Sequence, residues 1–230
     1  MADYKKIIPF IRKAEGGLSN SKYDYAHYNP SPCEYKGKKD WHTNKGITWT
    51  TFKNNATYLG YEPSCKNFIE MPDEIWNKIF KKAYWDKFDL DNYKSQAIAD
   101  FIVSVAWGSG VWGATKFLWK FIKEKYGVDL GTGKSYLDKQ KVENFKKFFN
   151  DKVEKEKGDD KIFNELVKRK EEFLKSLNQP HNIKGWLSRL NKFVQYETNF
   201  LIRNKKTFII AGAITFLVSG IVALFISQTH

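Results

Sequence analysis

Cysteine is scarce in this sequence: Cys33 and Cys65 are the two present among 230 residues. Two thiols permit at most one bridge, and neither has a Cys-x-x-Cys neighbour, which argues against a zinc site. The four histidines, His27, His42, His181 and His230, are scattered, with none at ligand spacing from another. There is no phosphate-binding glycine loop, no His-Glu-x-x-His and no Gly-x-Ser-x-Gly. Neither a metal nor a cofactor is expected. Met1–Lys6 lacks the apolar stretch of a signal peptide. Acid is in deficit, 26 Asp and Glu against 39 Lys and Arg, giving a net charge of +13. Such a surface seeks anions: nucleic acid, acidic headgroups or a wall polysaccharide. A mean hydropathy of −0.57 argues against a polytopic membrane protein. One uncharged run stands apart, Thr207 to Ile226, and about twenty such residues are enough for a helix to cross a bilayer.

What is abundant is aromatic: 8 Trp, 12 Tyr and 18 Phe, far too many for a solvated chain. Ile7, Ile8, Ile11 and Ala14 share one face of a 3.6-residue period, which predicts a helix over 3–14 ended by Gly16-Gly17. Residues 18–46 have no period and read as loop with a small β-hairpin. Helices are expected at 50–58 and after Pro72-Asp73-Glu74, with Ile75, Trp76, Ile79, Phe80 and Ala83 inward. The nearly continuous apolar stretch 93–107 predicts a buried central helix. Further helical patterns cover 113–126, 139–156, 161–178 and 184–203. The fold class is mainly α, lysozyme-like, with a small β-hairpin lobe and one C-terminal transmembrane helix.

Glu15 ends an apolar helix and is followed by two glycines. A carboxyl half-buried against aromatic surface favours its protonated form, as a general acid requires, and glycines let a substrate come close to the backbone. Asp24 follows nine residues later in a polar loop, where a carboxylate stays ionised. Two carboxyls in opposite protonation states are what glycoside hydrolysis uses. On pattern alone, a solvated acid at a helix end is the competing reading of Glu15.

Glu15-Gly16-Gly17-Leu18-Ser19-Asn20, then Asp24, then Thr43-Asn44-Lys45-Gly46-Ile47-Thr48 resemble the muramidases of glycoside hydrolase family 108. Tyr84-Trp85-Asp86 is similar to the Tyr-Trp motif that follows in that family. Asp100 to Gly110 with Trp112-Gly113 resembles the family's partner region, usually called a predicted peptidoglycan-binding domain. Arg169, Phe173, Leu174 and the stretch Lys184 to Asn191 resemble its closing motif. The resemblance spans roughly residues 4–193 in order. It implies a catalytic lysozyme-like region over 1–90, a helical peptidoglycan-binding region over 91–195, a basic linker helix over 196–206 and the membrane helix over 207–226.

The resemblance also implies roles. Glu15 is the catalytic acid, Asp24 holds or polarises the attacking water, and Thr43 orients that water by a hydrogen bond. The chain departs from the family pattern at Tyr25–His42, an insertion that replaces a Gly-Gly and contains Cys33. Asp40, three residues before Thr43, is therefore a second candidate for the carboxylate. Trp85, Trp107 and Trp112 are candidates for stacking on sugar rings, with core packing as the alternative for each. Cys33 and Cys65 either clip the insertion to the loop before the third helix or remain free thiols; a bond implies work outside the reducing cytosol. The Lys runs at 139–157 and 166–175 alternate with Glu, which argues against a nucleic-acid groove.

Arg203, Lys205 and Lys206 precede the apolar span and Ser227-Gln228-Thr229-His230 follow it. By charge alone the body would face the cytoplasm, which conflicts with a wall substrate. Storage until a lesion opens the membrane, inverted insertion, or delivery within a virion each resolve the conflict. Ala211, Thr215, Ser219 and Ala223 form a small-residue stripe that permits self-association in the bilayer. The expected activity is peptidoglycan hydrolysis at the β-1,4 bond between N-acetylmuramic acid and N-acetylglucosamine, in phage lysis or wall penetration. The body would act in the periplasm or at the wall, held by its membrane helix. The alternative is a membrane-anchored wall-binding or virion protein with a vestigial site.

Overall fold

The structure, a computed structural model, describes residues 1–130 and 137–204. The chain divides into two compact units, Met1–Leu190 and Asn191–His230. The apolar span 207–226 and its small-residue stripe lie outside the described residues.

The first unit is mainly helical with one small antiparallel sheet. A 3₁₀ turn at Tyr4–Lys6 leads into α1, Ile8–Ala14. Ile7 and Ile11 are buried, as the spacing of apolar residues predicts. The helix ends when Glu15 itself turns extended (φ −97°, ψ 139°), and neither Gly16 nor Gly17 takes the left-handed conformation expected of a glycine stop. Three two-residue strands follow: β1 Leu18–Ser19, β2 Thr43–Asn44 and β3 Ile47–Thr48, in the order β1-β2-β3. Thr43 pairs with Thr48 and Asn44 with Ile47, leaving Lys45-Gly46 as a two-residue turn. Both turn residues have positive φ, 46° and 78°, the requirement of the mirror-image turn that matches strand twist. The hairpin thus sits at the far end of the stretch read as loop.

Thr48 caps α2, Trp49–Ala56, by accepting from the Thr51 amide at 3.2 Å. Ser64 caps α3, Cys65–Glu70, a helix of six residues too short to give a periodic signal. Next come α4, Asp73–Phe80, and a single π turn, Lys81–Trp85. Ile75, Trp76, Ile79 and Phe80 are all buried, so the inward face assigned from the sequence is the inward face. Helix α5, Gln96–Tyr126, runs through the core, with Ala97, Ile98, Phe101, Ile102 and Val105 buried. It is long and apolar enough to cross a membrane, but its buried residues are those of a core helix. At Gly110 the backbone takes φ 72° and ψ 163°, which a side chain would oppose, and the helix kinks there. That kink is why the sequence reads as two helices. Helices α6, Lys139–Lys155, α7, Asp160–Ser176, and α8, Pro180–Asn204, complete the described residues.

Candidate active site

The Thr43–Thr48 segment is built into the core residue by residue. Asn44 is buried and donates to the Phe68 and Ile69 carbonyls at 2.7 and 2.9 Å, tying the hairpin to α3. Lys45 Nζ donates to the Met71 carbonyl at 2.8 Å, and its own carbonyl accepts from Trp76 Nε1 at 2.9 Å. Arg12 lies over the Trp76 ring, 4.8 Å from its centre, and pairs with Asp73 at 2.6 Å. The Arg12 guanidinium, helped by Lys45, holds the Asp73 carboxyl below the usual range. These contacts fix the turn in place.

Glu15 faces that turn. A Cβ added at Gly46 would sit 2.7 Å from Glu15 Oε2 and 2.5 Å from Trp107 Cζ2, so the backbone there makes an approach that a side chain would block. Trp107 Nε1 donates to Glu15 Oε1 at 2.8 Å. Trp107 is itself wedged among Trp76, Phe80 and Tyr84, with ring centres 5.5, 5.5 and 4.9 Å away. The Glu15 side chain is 17% exposed: enclosed, yet open on one side. Arg189 of α8 stands 3.9 Å from Oε1. Burial raises the Tyr84 hydroxyl above its ordinary value; a Thr51 hydrogen bond opposes this and the Glu15 charge adds to it.

Asp24 and Thr43 meet through a residue that carries no family motif. β1 continues directly from Gly16-Gly17, and Ser19 pairs with Thr43. Buried His42 places Nδ1 2.9 Å from Thr43 Oγ1 and 3.9 Å from Asp24 Oδ2. Asp24 caps the 3₁₀ turn Tyr25–Tyr28 by accepting from the Ala26 amide, and its side chain is 44% exposed. Asp40 is exposed, at φ 61°, and makes no hydrogen bond to His42 or Thr43. Cys33 and Cys65 form a disulfide that ties the insertion to the start of α3.

The tryptophans separate. Trp107 lines the site as Glu15's partner. Trp112 is 53% exposed, with Lys116 Nζ 5.1 Å from its ring centre. Trp85 corrects the stacking expectation: it is fully buried and its indole donates to Asp91 at 2.7 Å, so it presents no face to a ligand. Sequence reasoning missed His42 and Arg189 as site neighbours. The Lys-Gly pair after Asn44 was a legible signal for the turn; nothing in the sequence marks His42.

An acid enclosed by aromatics at the end of a helix, set against a short hairpin in a mainly helical body, defines a lysozyme-like glycoside hydrolase. Residues 8–110 match the family described as Glycosyl hydrolase 108. The match takes in Glu15, Asp24, Thr43 and Trp107, and reaches past residue 90 into α5. The chain is accordingly a glycoside hydrolase acting on peptidoglycan. Among solved structures, "Structure of Brucella abortus SagA" is similar at a TM-score of 0.55 and 21% identity, covering 89% of this chain and 97% of that one. That likeness concerns the fold. No curated protein matches.

Proposed function

We propose that the chain is an N-acetylmuramidase, cleaving the β-1,4 bond between N-acetylmuramic acid and N-acetylglucosamine, with Glu15 as general acid. The observation that carries this reading is the seat of Glu15, held by the Trp107 indole against a turn where only glycine fits. Oε1 accepts from Trp107, and as general acid Glu15 brings a proton to the bond. That proton passes to the glycosidic oxygen as its bond to the anomeric carbon breaks. A water held by Asp24 and Thr43 adds its oxygen to that carbon and gives its proton to the Asp24 carboxylate. Trp112, exposed beyond the kink in α5, is the tryptophan free to stack on a sugar ring.

In the same reading the helices after residue 91 supply wall contacts, and the 207–226 span anchors the enzyme to a membrane bounding the wall. Phage lysis or wall penetration is the setting. The test is the chemistry of the new ends. Borohydride reduction of digested peptidoglycan followed by acid hydrolysis should give muramitol; glucosaminitol alone would overturn the assigned bond. Release of no reducing ends would leave a wall-binding protein with a vestigial site.

A further inference from the structure

His42 lies in the inserted segment Tyr25–His42, beside two of the residues assigned to the water, and has no role so far. It is wholly buried, and its main chain is fixed on both sides: its amide donates to the Ser19 carbonyl at 3.0 Å, and its carbonyl accepts from the Trp49 amide at 2.7 Å. Its imidazole is held in turn by a contact at each ring nitrogen.

The tautomer follows from the partners. Nε2 lies 3.1 Å from the Ser21 carbonyl, which can only accept, so Nε2 carries the hydrogen. In a neutral ring Nδ1 is then bare and accepts, so Thr43 Oγ1, 2.9 Å away, must be the donor. A threonine hydroxyl has one hydrogen, and here it is spent on His42. Toward the cleft Thr43 can offer lone pairs and nothing else. Asp24 is the charged group facing the ring, at 3.9 Å from Nδ1, and as a carboxylate it too only accepts. His27, in the next turn, is engaged with the Asp24 carbonyl at 2.8 Å. Ser19, Ser21 and Trp49 around the ring carry no charge.

We infer that His42 is a positioning residue that fixes Thr43 as a hydrogen-bond acceptor toward the attacking water. With acceptors at both Thr43 and Asp24, a water between them donates a hydrogen bond to each, which leaves its lone pairs turned to the anomeric carbon. A Thr43 free to donate would hold the same water by a lone pair instead, and so turn away the electrons that must form the new bond.

The inference rests on the reading of Thr43 as the water-orienting residue, and the experiment separates the two. Reducing-end release from purified peptidoglycan is measured with the full-length chain. Thr43→Val should lower kcat about 10- to 100-fold with KM nearly unchanged, the scale of a misplaced reactant. His42→Gln, long enough to reach Ser21 but with nothing where Nδ1 stood, should match it. His42→Asn, whose Oδ1 stands near the position of Nδ1, should retain most of the rate. The pair His42→Gln with Thr43→Val should be no slower than either alone, because both remove one arrangement.

A fully active Thr43→Val sinks the Thr43 reading itself. An impaired Thr43→Val beside a fully active His42→Gln, or a His42→Asn as slow as His42→Gln, overturns the inference alone. Should the variants fail to fold, the 15N shifts of the wild-type imidazole decide. A protonated Nε2 with a bare Nδ1 is expected, and a hydrogen on Nδ1 would contradict it.

Discussion

The two sides of the proposed site, that of the acid and that of the water, are built in opposite ways. At the acid end, Glu15 is almost enclosed, bonded by an indole that packs on Trp76, Phe80 and Tyr84, and overlaid by the backbone of Gly46. At the water end, Asp24 is 44% exposed just before the inserted segment, and the last residue of that segment, His42, bonds Thr43 and stands 3.9 Å from Asp24. The contrast follows from the chemistry. A proton donor works best in a fixed, poorly hydrated seat, whereas a carboxylate that receives a proton from water must stay ionised in contact with solvent. The aromatic core builds the first. A disulfide and one histidine build the second, because the insertion brings no core of its own.

The comparison breaks most sharply at Gly46. Gly46→Ala forces a side chain into the left-handed region and into Trp107 and Glu15. It should cost about 2–4 kcal/mol of stability and nearly all activity, read by thermal unfolding and turbidity loss of peptidoglycan. A variant with wild-type rate would show that the acid end is not held by that contact. The water end is tested by Cys33→Ser with Cys65→Ser. Opening a bridge that spans 32 residues should release roughly 3–4 kcal/mol on a chain-entropy argument. The loss should fall on the insertion, so hydrogen exchange should rise over 25–42 while the α4 and α5 amides stay protected.

A smaller effect, away from both ends, serves as the control. Lys170 Nζ lies 5.6 and 5.1 Å from the ring centres of Phe117 and Phe173, and burial pushes its pKa down to about 8 from 10.5. Between those values the unfolded chain binds more protons than the folded one, so stability rises as pH goes from about 8 to 10.5. Below pH 8 the buried charge costs its full amount, partly offset by the two rings. Lys170→Met should therefore raise stability at pH 7 by on the order of 1 kcal/mol and flatten the alkaline rise, with kcat unchanged.

Much of the helical body was legible because burial imposes a 3.6-residue period. Ile7 and Ile11, the α4 face and the first half of α5 all follow it. The kink at Gly110 was not, since a period fades at a break without naming its cause. Helix α3 was too short to show a pattern, and strands of two residues have no alternation to read. In the site, the Glu15-Gly-Gly and Thr43–Thr48 segments stood out as motifs. The structure then gives Gly46 its physical reason, a close approach over 31 residues of chain. Trp85 and Trp107 look alike in sequence; what separates them is that one indole ends on Asp91 and the other on Glu15 in the candidate site. His42 was invisible, because a lone buried histidine carries no pattern and its meaning lies in which atoms its two nitrogens meet.

The central claim is that Glu15 delivers the proton that breaks the sugar chain. The direct test is reducing-end release by Glu15→Gln, an isostere that keeps an acceptor for the Trp107 indole but has no acidic proton. Activity should fall at least about 100-fold, with thermal stability and wall binding retained. Release of reducing ends at the wild-type rate would contradict the account.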